Sequence, residues 1–469
     1  MKPNPNKLLS RREFLKLSGG MAASTWLLAN GPSMVAASME NKGPRSAPAR
    51  QEGEVIFMMS VGELSDEERE QFMADNPGIT LSRIELDETA FMAMLAAGNP
   101  PDIYRTQAAA LPSLLARGIP KNLQSYFDAS TVLDQDDLMP ANNYYRANSP
   151  AEVGVGDRYG MVKDWSPDLT VFVNDNLFES AGVDPLSDEE PISYERLAEL
   201  AAQLTVTDGD RTTVYGFGLH ENWIDRTWMT WLFGLGKSLF SEDFTKCNLV
   251  DNDEAREAIR YYYDLAKARM VSSPINPADS WAGQAFLDGQ VAMVQYGFWF
   301  SGAPPFWANE EVLAAVEEGK IRMVPAPMWK GGERVDPTIT ATGAVIVDMT
   351  KVPDMAWRVY EWYMGEEPAL ARAGGGWGIP AFFGQTDLVP KEGVFREQVW
   401  KIAEKEIGYG DVVLAYNPYL RGGEPGVLAD QFLVNWEPAL QGDMDFDEML
   451  EIIEDETNFA IQDGIDLIG

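Results

Sequence analysis

Tryptophans follow predicted strands or loops at four places in this chain. Trp165 follows MVKD, Trp281 follows a proline loop, Trp299 follows VAMVQYG, and Trp377 stands in AGGGWGIP. In α/β sheets, ligands gather at the carboxyl ends of strands, where loops expose side chains. An indole face can lie flat against the apolar face of a pyranose ring, and a neighbouring carboxylate such as Asp164 can accept hydrogen bonds from hydroxyl groups. These residues favour binding of a flat, hydroxyl-bearing molecule.

The same aromatic residues can instead belong to a hydrophobic core. The stretch FLDGQVAMVQYGFWF, residues 286–300, has the composition of a buried strand up to Gly297. Ligand contact is favoured for Trp299, and both interpretations stay open for Trp165 and Trp377. Glu63 and Asp102, each placed just past a predicted strand, are further candidates for ligand contact. Acidic residues at such positions are more often solvated or cap helices.

Motifs for catalysis and metal binding are incomplete. Cys247 and His220 are each the single residue of their type, which excludes an internal disulfide, a thiolate cluster and a multi-histidine zinc site. The GLGKS segment lacks the first glycine of a phosphate-binding loop, where Trp231 stands, and an EF-hand-like spacing has Glu448 where the sharp turn needs glycine. No catalytic residue, metal or cofactor is therefore predicted. A carboxylate pair of the glycosidase kind stays open, because the 73 acidic residues always supply one.

The chain is strongly acidic. It holds 37 basic and 73 acidic residues among 469, a net charge of −36. Without residues 1–52, which carry eight basic and three acidic side chains, the charge is −41. Such a surface repels phosphate backbones and anionic lipids, so no nucleic-acid partner is expected. It favours a neutral or cationic ligand, although the charge can also serve solubility alone.

The first residues have the pattern of an export signal. SRREFLK, residues 10–16, places two arginines ahead of a modest apolar stretch, and small residues follow at positions 36–38. This predicts a twin-arginine signal peptide over residues 1–38, and a Pro- and Ala-rich linker over residues 39–52. The mature chain is expected outside the cytoplasmic membrane, without a lipid anchor because no cysteine lies near the cleavage site.

The elements that must position these side chains alternate between strand and helix. EVIFMMS, residues 54–60, reads as a buried strand, and a helix follows with Ser65 as N-cap and Glu68 three residues later. ITLSRIEL, PPDIYRT, VYGFGL and ATGAVIVDM are further predicted strands, with helices between them. This order predicts an α/β fold, and the length predicts at least two lobes.

Longer stretches resemble the family 1 extracellular solute-binding proteins of ABC transporters, the relatives of maltose-binding protein. The resemblance is carried by LAAGNPPDIYRTQAAALPSLLARGIPKNLQSYFD, by DRYGMVKDWSPDLTVFVNDNLFESAGVD, by AFLDGQVAMVQYGFWF, and by the later segments RMVPAPMWKGG, GGGWGIP and WEPALQGDMDFDEML. It covers nearly all of residues 54–456.

The resemblance implies a type II-like periplasmic-binding-protein fold, with two α/β lobes joined by a hinge of crossing strands. The N-lobe would comprise residues 53–166 and about 320–366, and the C-lobe residues 167–319 and 367–469. The sugar-stacking tryptophan of the family falls on Trp299, and GGGWGIP contains Trp377. The hinge turn falls on Asp164 and Trp165, and the loops after the first strand and the P-D-I strand fall near Glu63 and Asp102.

The resemblance also implies a function. The expected protein is a monomeric, non-enzymatic carrier that captures a carbohydrate, in particular an oligosaccharide, by hinge closure and delivers it to the permease subunits of an ABC importer. Two alternatives stay open at this point. One is a secreted enzyme that acts on glycosides through a carboxylate pair, and the other is a binding protein for a cationic ligand such as a polyamine.

Overall fold

The computed structural model describes residues 53–303, 309–423 and 425–468. The predicted signal peptide and linker, residues 1–52, lie outside the described residues, so both stay predictions. Within the described ranges, no helix combines the length and the apolar character needed to cross a membrane.

The strands of the described ranges are short, between two and seven residues each. They are β1 (Glu54–Met59), β2 (Thr80–Glu85), β3 (Ile103–Thr106), β4 (Arg146–Ser149), β5 (Glu152–Arg158), β6 (Gly160–Val162), β7 (Asp164–Trp165), β8 (Val171–Asn174), β9 (Val206–Asp208), β10 (Arg211–Val214), β11 (Met293–Gln295), β12 (Ile321–Val324), β13 (Gly343–Ile346) and β14 (Ile379–Pro380).

The α-helices lie between and after these strands. They are α1 (Asp66–Asp75), α2 (Glu88–Ala96), α3 (Leu111–Ala116), α4 (Gln124–Ala129), α5 (Asp175–Ala181), α6 (Tyr194–Leu204), α7 (Ile224–Gly234), α8 (Asp253–Lys267), α9 (Ala282–Leu287), α10 (Glu310–Glu317), α11 (Pro353–Gly365), α12 (Glu367–Gly375), α13 (Val394–Ile407), α14 (Val427–Gln441) and α15 (Phe446–Ile468). Two 3-10 turns, Glu221–Trp223 and Phe298–Gly302, matter for the site.

Five strands form the first sheet, in the order β2-β1-β3-β13-β6. β1 is parallel to β2 and β3, whereas β13 runs antiparallel to β3 and β6. The predicted strand and helix at the start are confirmed. β1 is apolar and buried after its first residue, as expected for a parallel strand covered on both faces. α1 begins with the predicted capping box, because Ser65 Oγ accepts from the amide of Glu68 and Glu68 Oε2 accepts from the amide of Ser65.

Three strands form the second sheet, in the order β11-β8-β12, with both outer strands antiparallel to β8. β8 is buried on both faces: Val171 and Val173 pack into the core under α6, α7 and α8, and Phe172 packs into the core shared with the first sheet. The segment between the sheets contains β7, which pairs antiparallel with β14 through Trp165 opposite Ile379 and Asp164 opposite Pro380. This pair joins the two halves, and it is the crossing-strand arrangement expected from the sequence.

β12 lies in the second sheet, and the chain returns to the first sheet between Val324 and Gly343. Ile321–Val324 pairs along the whole of β8. The expected lobe boundary near residue 320 stays a prediction. VYGFGL does not form a continuous strand, because it meets the β11 segment only through bridges of Tyr215 to Val291 and of Gly218 to Val294. The remaining extent of the two lobes stays a prediction.

Candidate functional site

A cavity of about 890 Å³ lies where the first sheet, the crossing strands and the second sheet meet. Its volume falls in the range of small-molecule binding sites. The residues that line it come from all three parts of the fold: Gly62, Glu63, Ser65, Glu68, Arg105, Gln107, Lys163, Asp164, Trp165, Ser166, His220, Trp223, Trp281, Trp299, Thr340, Thr342, Pro368, Ala371, Arg372 and Trp377.

One wall of the cavity is aromatic. The Trp299 ring centroid lies 5.9 Å from that of Trp377 and 6.0 Å from that of Trp223. His220 stacks on Trp223 with centroids 4.1 Å apart and planes at 11°. Trp377 and Trp281 are 41% and 46% exposed, which is high for tryptophan. The wall therefore offers several indole faces to a ligand.

Two glycines allow this wall to form. A Cβ atom on Gly297, which precedes the turn that carries Trp299, would lie 2.2 Å from Asp168 Oδ1 in the crossing segment. A Cβ atom on Gly302, at the end of the same turn, would lie 2.4 Å from the carbonyl oxygen of Gly376 and 2.6 Å from Cα of Trp377. Only glycine permits so close an approach of backbone to neighbouring groups. The apolar run that ends in GFWF thus turns sharply and presents Trp299 beside Trp377.

The lining of the cavity also contains charged side chains that form ion pairs. Arg105 Nη2 lies 3.1 Å from Glu63 Oε1, and Lys163 Nζ lies 3.8 Å from the same oxygen and in hydrogen-bond contact with Asp164. Burial alone would lower the pKa of Arg105, but the nearby Glu63 and Asp164 carboxylates together outweigh burial and raise it. The lining holds three acidic residues, with Glu68 as the third, and three basic ones, with Arg372 as the third. The cavity is balanced in formal charge, unlike the chain as a whole.

Several buried polar atoms of the lining have no hydrogen-bond partner among the described residues. They include Oε2 of Glu63, the indole Nε1 atoms of Trp223 and Trp299, Nε of Arg105, and Nε and Nη1 of Arg372. Buried polar groups are usually paired, so such atoms call for a partner that the chain does not itself provide. A hydroxyl group can both donate to the carboxylate oxygen and accept from an indole N–H. The arrangement suits a ligand with several hydroxyl groups and an apolar face.

Five of the six residues singled out from the sequence line this cavity: Glu63, Asp164, Trp165, Trp299 and Trp377. The structure brings them together from distant parts of the chain. Trp165 is 3% exposed, and its indole N–H donates to the carbonyl oxygen of Pro380 at 3.2 Å, so it also holds the crossing strands together.

Asp102 does not line the cavity. It is fully buried, its Oδ2 atom accepts from the amide of Ile56 at 2.8 Å, and its other oxygen accepts from the hydroxyl of Thr350. The residue lies just before β3, at the amino end of the strand, whereas the cavity lies at the carboxyl ends. Its carboxylate therefore serves the sheet rather than the cavity.

The sequence-based site omits several lining residues. His220 and Trp223 follow the apolar segment VYGFGL, so they carry the same signal as the aromatic residues that end the other apolar segments. Trp281, which follows a proline loop, lines the cavity as well. Arg105, Lys163 and Arg372 carry no comparable signal, because a basic side chain in a sequence does not show whether it faces a cavity, and the Glu63 partner of Arg105 lies 42 positions away.

Two α/β lobes, joined by crossing strands and bordering one aromatic and polar cavity, define the class of two-lobe solute-binding proteins. Residues 61–369 match the family of bacterial extracellular solute-binding proteins, and the chain belongs to that family. The resemblance noted in the sequence is thereby confirmed. A search of curated proteins found no significant match.

Solved structures share the fold at low sequence identity. An ABC substrate-binding protein from Listeria monocytogenes in complex with cycloalternan superposes with a TM-score of 0.69 at 20% identity, over 87% of this chain and 99% of that one. The GacH receptor of Streptomyces glaucescens, studied with acarbose, gives 0.65 at 18% identity, over 88% and 100%. The maltose/maltodextrin-binding domain MalE from Bdellovibrio bacteriovorus, bound to maltotriose, gives 0.64 at 13%, over 88% and 99%. These similarities confirm the expected α/β two-lobe fold.

Proposed function

We propose that the protein is the extracytoplasmic binding component of an ABC importer that captures a carbohydrate, in particular an oligosaccharide. The observation that carries the proposal is the cavity that combines an aromatic wall, formed by Trp299, Trp377, Trp223 and Trp281, with the paired carboxylates of Glu63 and Asp164. Indole faces cover the apolar faces of sugar rings, and the carboxylates accept from hydroxyl groups. Solved relatives of the same fold hold cycloalternan or maltotriose, which supports this ligand class.

Capture would proceed by closure of the two lobes about the crossing strands. A ligand that contacts both lobes binds the closed form better than the open form and shifts the population toward it. The closed carrier would then deliver the sugar to permease subunits, as a monomer exported through a twin-arginine signal. Chemical change of the ligand forms no part of this function.

The paired charges favour this ligand over a cationic one. A polyamine site needs carboxylates whose charge is not already neutralised, but the Glu63 carboxylate pairs through Oε1 with Arg105, and that of Asp164 pairs with Lys163. The formal balance of the cavity also removes the local attraction that the −36 charge of the chain would suggest. A neutral, hydroxyl-bearing ligand fits both observations.

A thermal-shift screen tests the proposal. Purified mature protein is mixed with a panel of neutral oligosaccharides, monosaccharides and polyamines, and a ligand that binds the folded state alone raises the melting temperature with its concentration. We expect oligosaccharides to give the largest rise, and calorimetry to confirm binding. No shift with any glycan, or a rise with polyamines alone, would refute the carbohydrate assignment, and release of shorter products from a glycan would indicate an enzyme instead.

A further inference from the structure

A second cavity lies beside the main one. Its volume is about 340 Å³, and Arg105 and Gln107 line both spaces. The other residues that line it are Leu86, Glu88, Phe91, Met92, Tyr104, Thr106, Ala110, Ser113, Leu114, Asn222, Gly422 and Gly423. Because Arg105 and Gln107 stand at the carboxyl end of β3, the two cavities are neighbours along the same sheet edge.

A single 3-10 turn also reaches both spaces. In the turn Glu221–Trp223, Asn222 lines the second cavity and the next residue, Trp223, lines the main cavity. The boundary between the cavities therefore consists of a strand end on one side and one turn on the other. A chain-like ligand that leaves the main cavity across this boundary would enter the second one.

The second cavity is built from both halves of the molecule. Glu88 of α2 lies 3.5 Å from Arg421, in the loop that precedes α14. In the same loop, a Cβ atom on Gly422 would lie 1.9 Å from the carbonyl oxygen of Ala109, and Arg226 donates to the carbonyl oxygen of Gly423 at 2.9 Å. Arg226 also donates to Gln107 Oε1 at 2.7 Å. Direct contacts between the two halves therefore hold this wall of the second cavity in place.

The chemistry of its lining continues that of the main cavity. Met92 is 44% exposed and, with Leu86, supplies an apolar surface at the rim, and Asn222 offers a partly exposed amide that can donate and accept. Tyr104 stacks on Phe91 with centroids 3.8 Å apart, which holds β3 and α2 together beneath the cavity. The charged groups, Glu88 and Arg105, are both ion-paired. The second cavity therefore has the mixed apolar and hydrogen-bonding lining that a neutral sugar unit requires.

We propose that the second cavity extends the binding cleft and holds the end of an oligosaccharide that is too long for the main cavity alone. The inference rests on the proposed function and adds a preference for long ligands. It also gives the direction of the bound chain, which would run from the aromatic wall past Arg105 and Gln107 toward Met92. Asn222 and Met92 are the residues that distinguish long ligands from short ones.

Calorimetric titration with gluco- and manno-oligosaccharides, from the disaccharide to the hexasaccharide, tests the proposal on the intact protein. The variants are Asn222→Ala and Met92→Ala, both at positions exposed enough to leave folding intact, and Trp223→Ala serves as the matched change in the main cavity. For the wild type, affinity should increase with ligand length. Each of the two variants should lower the affinity for the longest ligand about three- to tenfold, which corresponds to the loss of one hydrogen bond or one apolar contact. The affinity for the disaccharide should change by less than about twofold. Trp223→Ala should lower the affinity for oligosaccharides of every length.

The outcomes separate this inference from the function on which it rests. If the wild type binds glycans and Asn222→Ala and Met92→Ala leave all lengths unaffected, the second cavity holds no part of the ligand and the inference fails while the function stands. If the two variants lower the affinity for short and long ligands equally, the inference that the second cavity contacts only the longer ligands is wrong. If no glycan binds the wild type, the proposed function fails and the inference fails with it.

Discussion

The indole of Trp299 lies beside that of Trp377, with ring centroids 5.9 Å apart and planes inclined at 42°. Trp299 belongs to the turn after β11 of the second sheet, and Trp377 to the segment that leads into β14 of the crossing pair. Two inclined faces meet at an angle and form a corner. A sugar ring placed against one face would have its edge toward the other, so both indoles can contribute to a single ligand.

Substitution of Trp299 tests this corner directly. Trp299→Ala should lower oligosaccharide affinity about 10- to 100-fold, because it removes a large apolar contact and an indole N–H. Trp299→Phe should retain part of the affinity, since a ring face remains. Calorimetric titration measures both. Phe459→Ala, a change of a 57% exposed aromatic residue of α15, is the control and should bind as the wild type does. Equal affinities for all four proteins would show that Trp299 does not contact the ligand.

Salt should scarcely affect ligand binding. The ion pairs of Glu63 with Arg105 and of Lys163 with Asp164 already neutralise the cavity, so a neutral sugar brings no charge to be screened. Between about 0.05 and 0.5 M sodium chloride, the dissociation constant for an oligosaccharide should change by less than about twofold. The affinity for a cationic ligand attracted by the acidic chain would fall about tenfold or more over this range of salt concentration. A strong salt dependence measured by calorimetry would therefore favour the polyamine alternative.

Local sequence signals were sufficient for the elements that start the fold. The apolar composition of EVIFMMS and the Ser65 and Glu68 spacing depend on contacts within a few residues, and both reappear as β1 and the capping box of α1. Local signals do not identify which strands pair with each other. Nothing within Ile321–Val324 itself indicates that it pairs with β8, about 150 residues earlier, because such a pairing depends on contacts that only the folded chain makes.

The candidate site shows the same division. The tryptophans that follow apolar segments were visible because an aromatic residue after a strand is a local signal. The position of Asp102 is harder to predict, because the two ends of a short strand are hard to distinguish without the neighbouring strands. The hydrogen bonds of Asp102 with Ile56 and Thr350 join residues that are far apart in the sequence. The pairing of Arg105 with Glu63 joins residues 42 positions apart, so only the folded chain reveals it.

The crossing segments should depend on Asp168 for stability. Its carboxylate is 3% exposed and accepts from Ser166 Oγ at 2.6 Å, from the amide of Ile339 at 2.9 Å, and from the amide and hydroxyl of Thr340 at 3.1 and 3.0 Å. These bonds join the segment before β8 to the segment before β13. Burial raises the pKa of Asp168 although the hydrogen bonds act to lower it.

Asp168→Ala leaves those donors buried without an acceptor, and we expect the free energy of unfolding to fall by about 2–4 kcal/mol. Asp168→Asn keeps an acceptor oxygen and should cost less. Urea denaturation measures both, with Asp387→Ala as the control, because the Asp387 side chain is 99% exposed. A loss within about 0.5 kcal/mol for Asp168→Ala would mean that water or neighbouring groups satisfy these donors.

The pH dependence of stability should carry a contribution from Glu221, in the turn that reaches both cavities. Burial raises the pKa of Glu221 from 4.5 to about 7, although a hydrogen bond from Tyr262 at 3.4 Å acts in the other direction. The phenols of Tyr262 and Tyr296 lie near this carboxyl, and a phenol carries no positive charge that would favour the carboxylate. The protonated form of Glu221 is therefore favoured in the folded state.

Between about pH 4.5 and pH 7 the folded chain then holds a proton at Glu221 that the unfolded chain has released, so this residue lowers the free energy of unfolding as pH rises. The side chain is partly exposed and solvent screens it, which limits the loss to roughly 1–2 kcal/mol. Glu221→Gln cannot ionise and should be more stable than the wild type at pH 8 by this amount, with little difference at about pH 5. Glu451→Gln, at an exposed position of α15, is the matched control and should follow the wild type at both pH values. The other buried carboxyl groups titrate equally in all three proteins, so the difference between their curves of unfolding free energy against pH reports on Glu221 alone. A difference between the wild type and Glu221→Gln that stays constant from about pH 5 to pH 8 would contradict a raised pKa of Glu221.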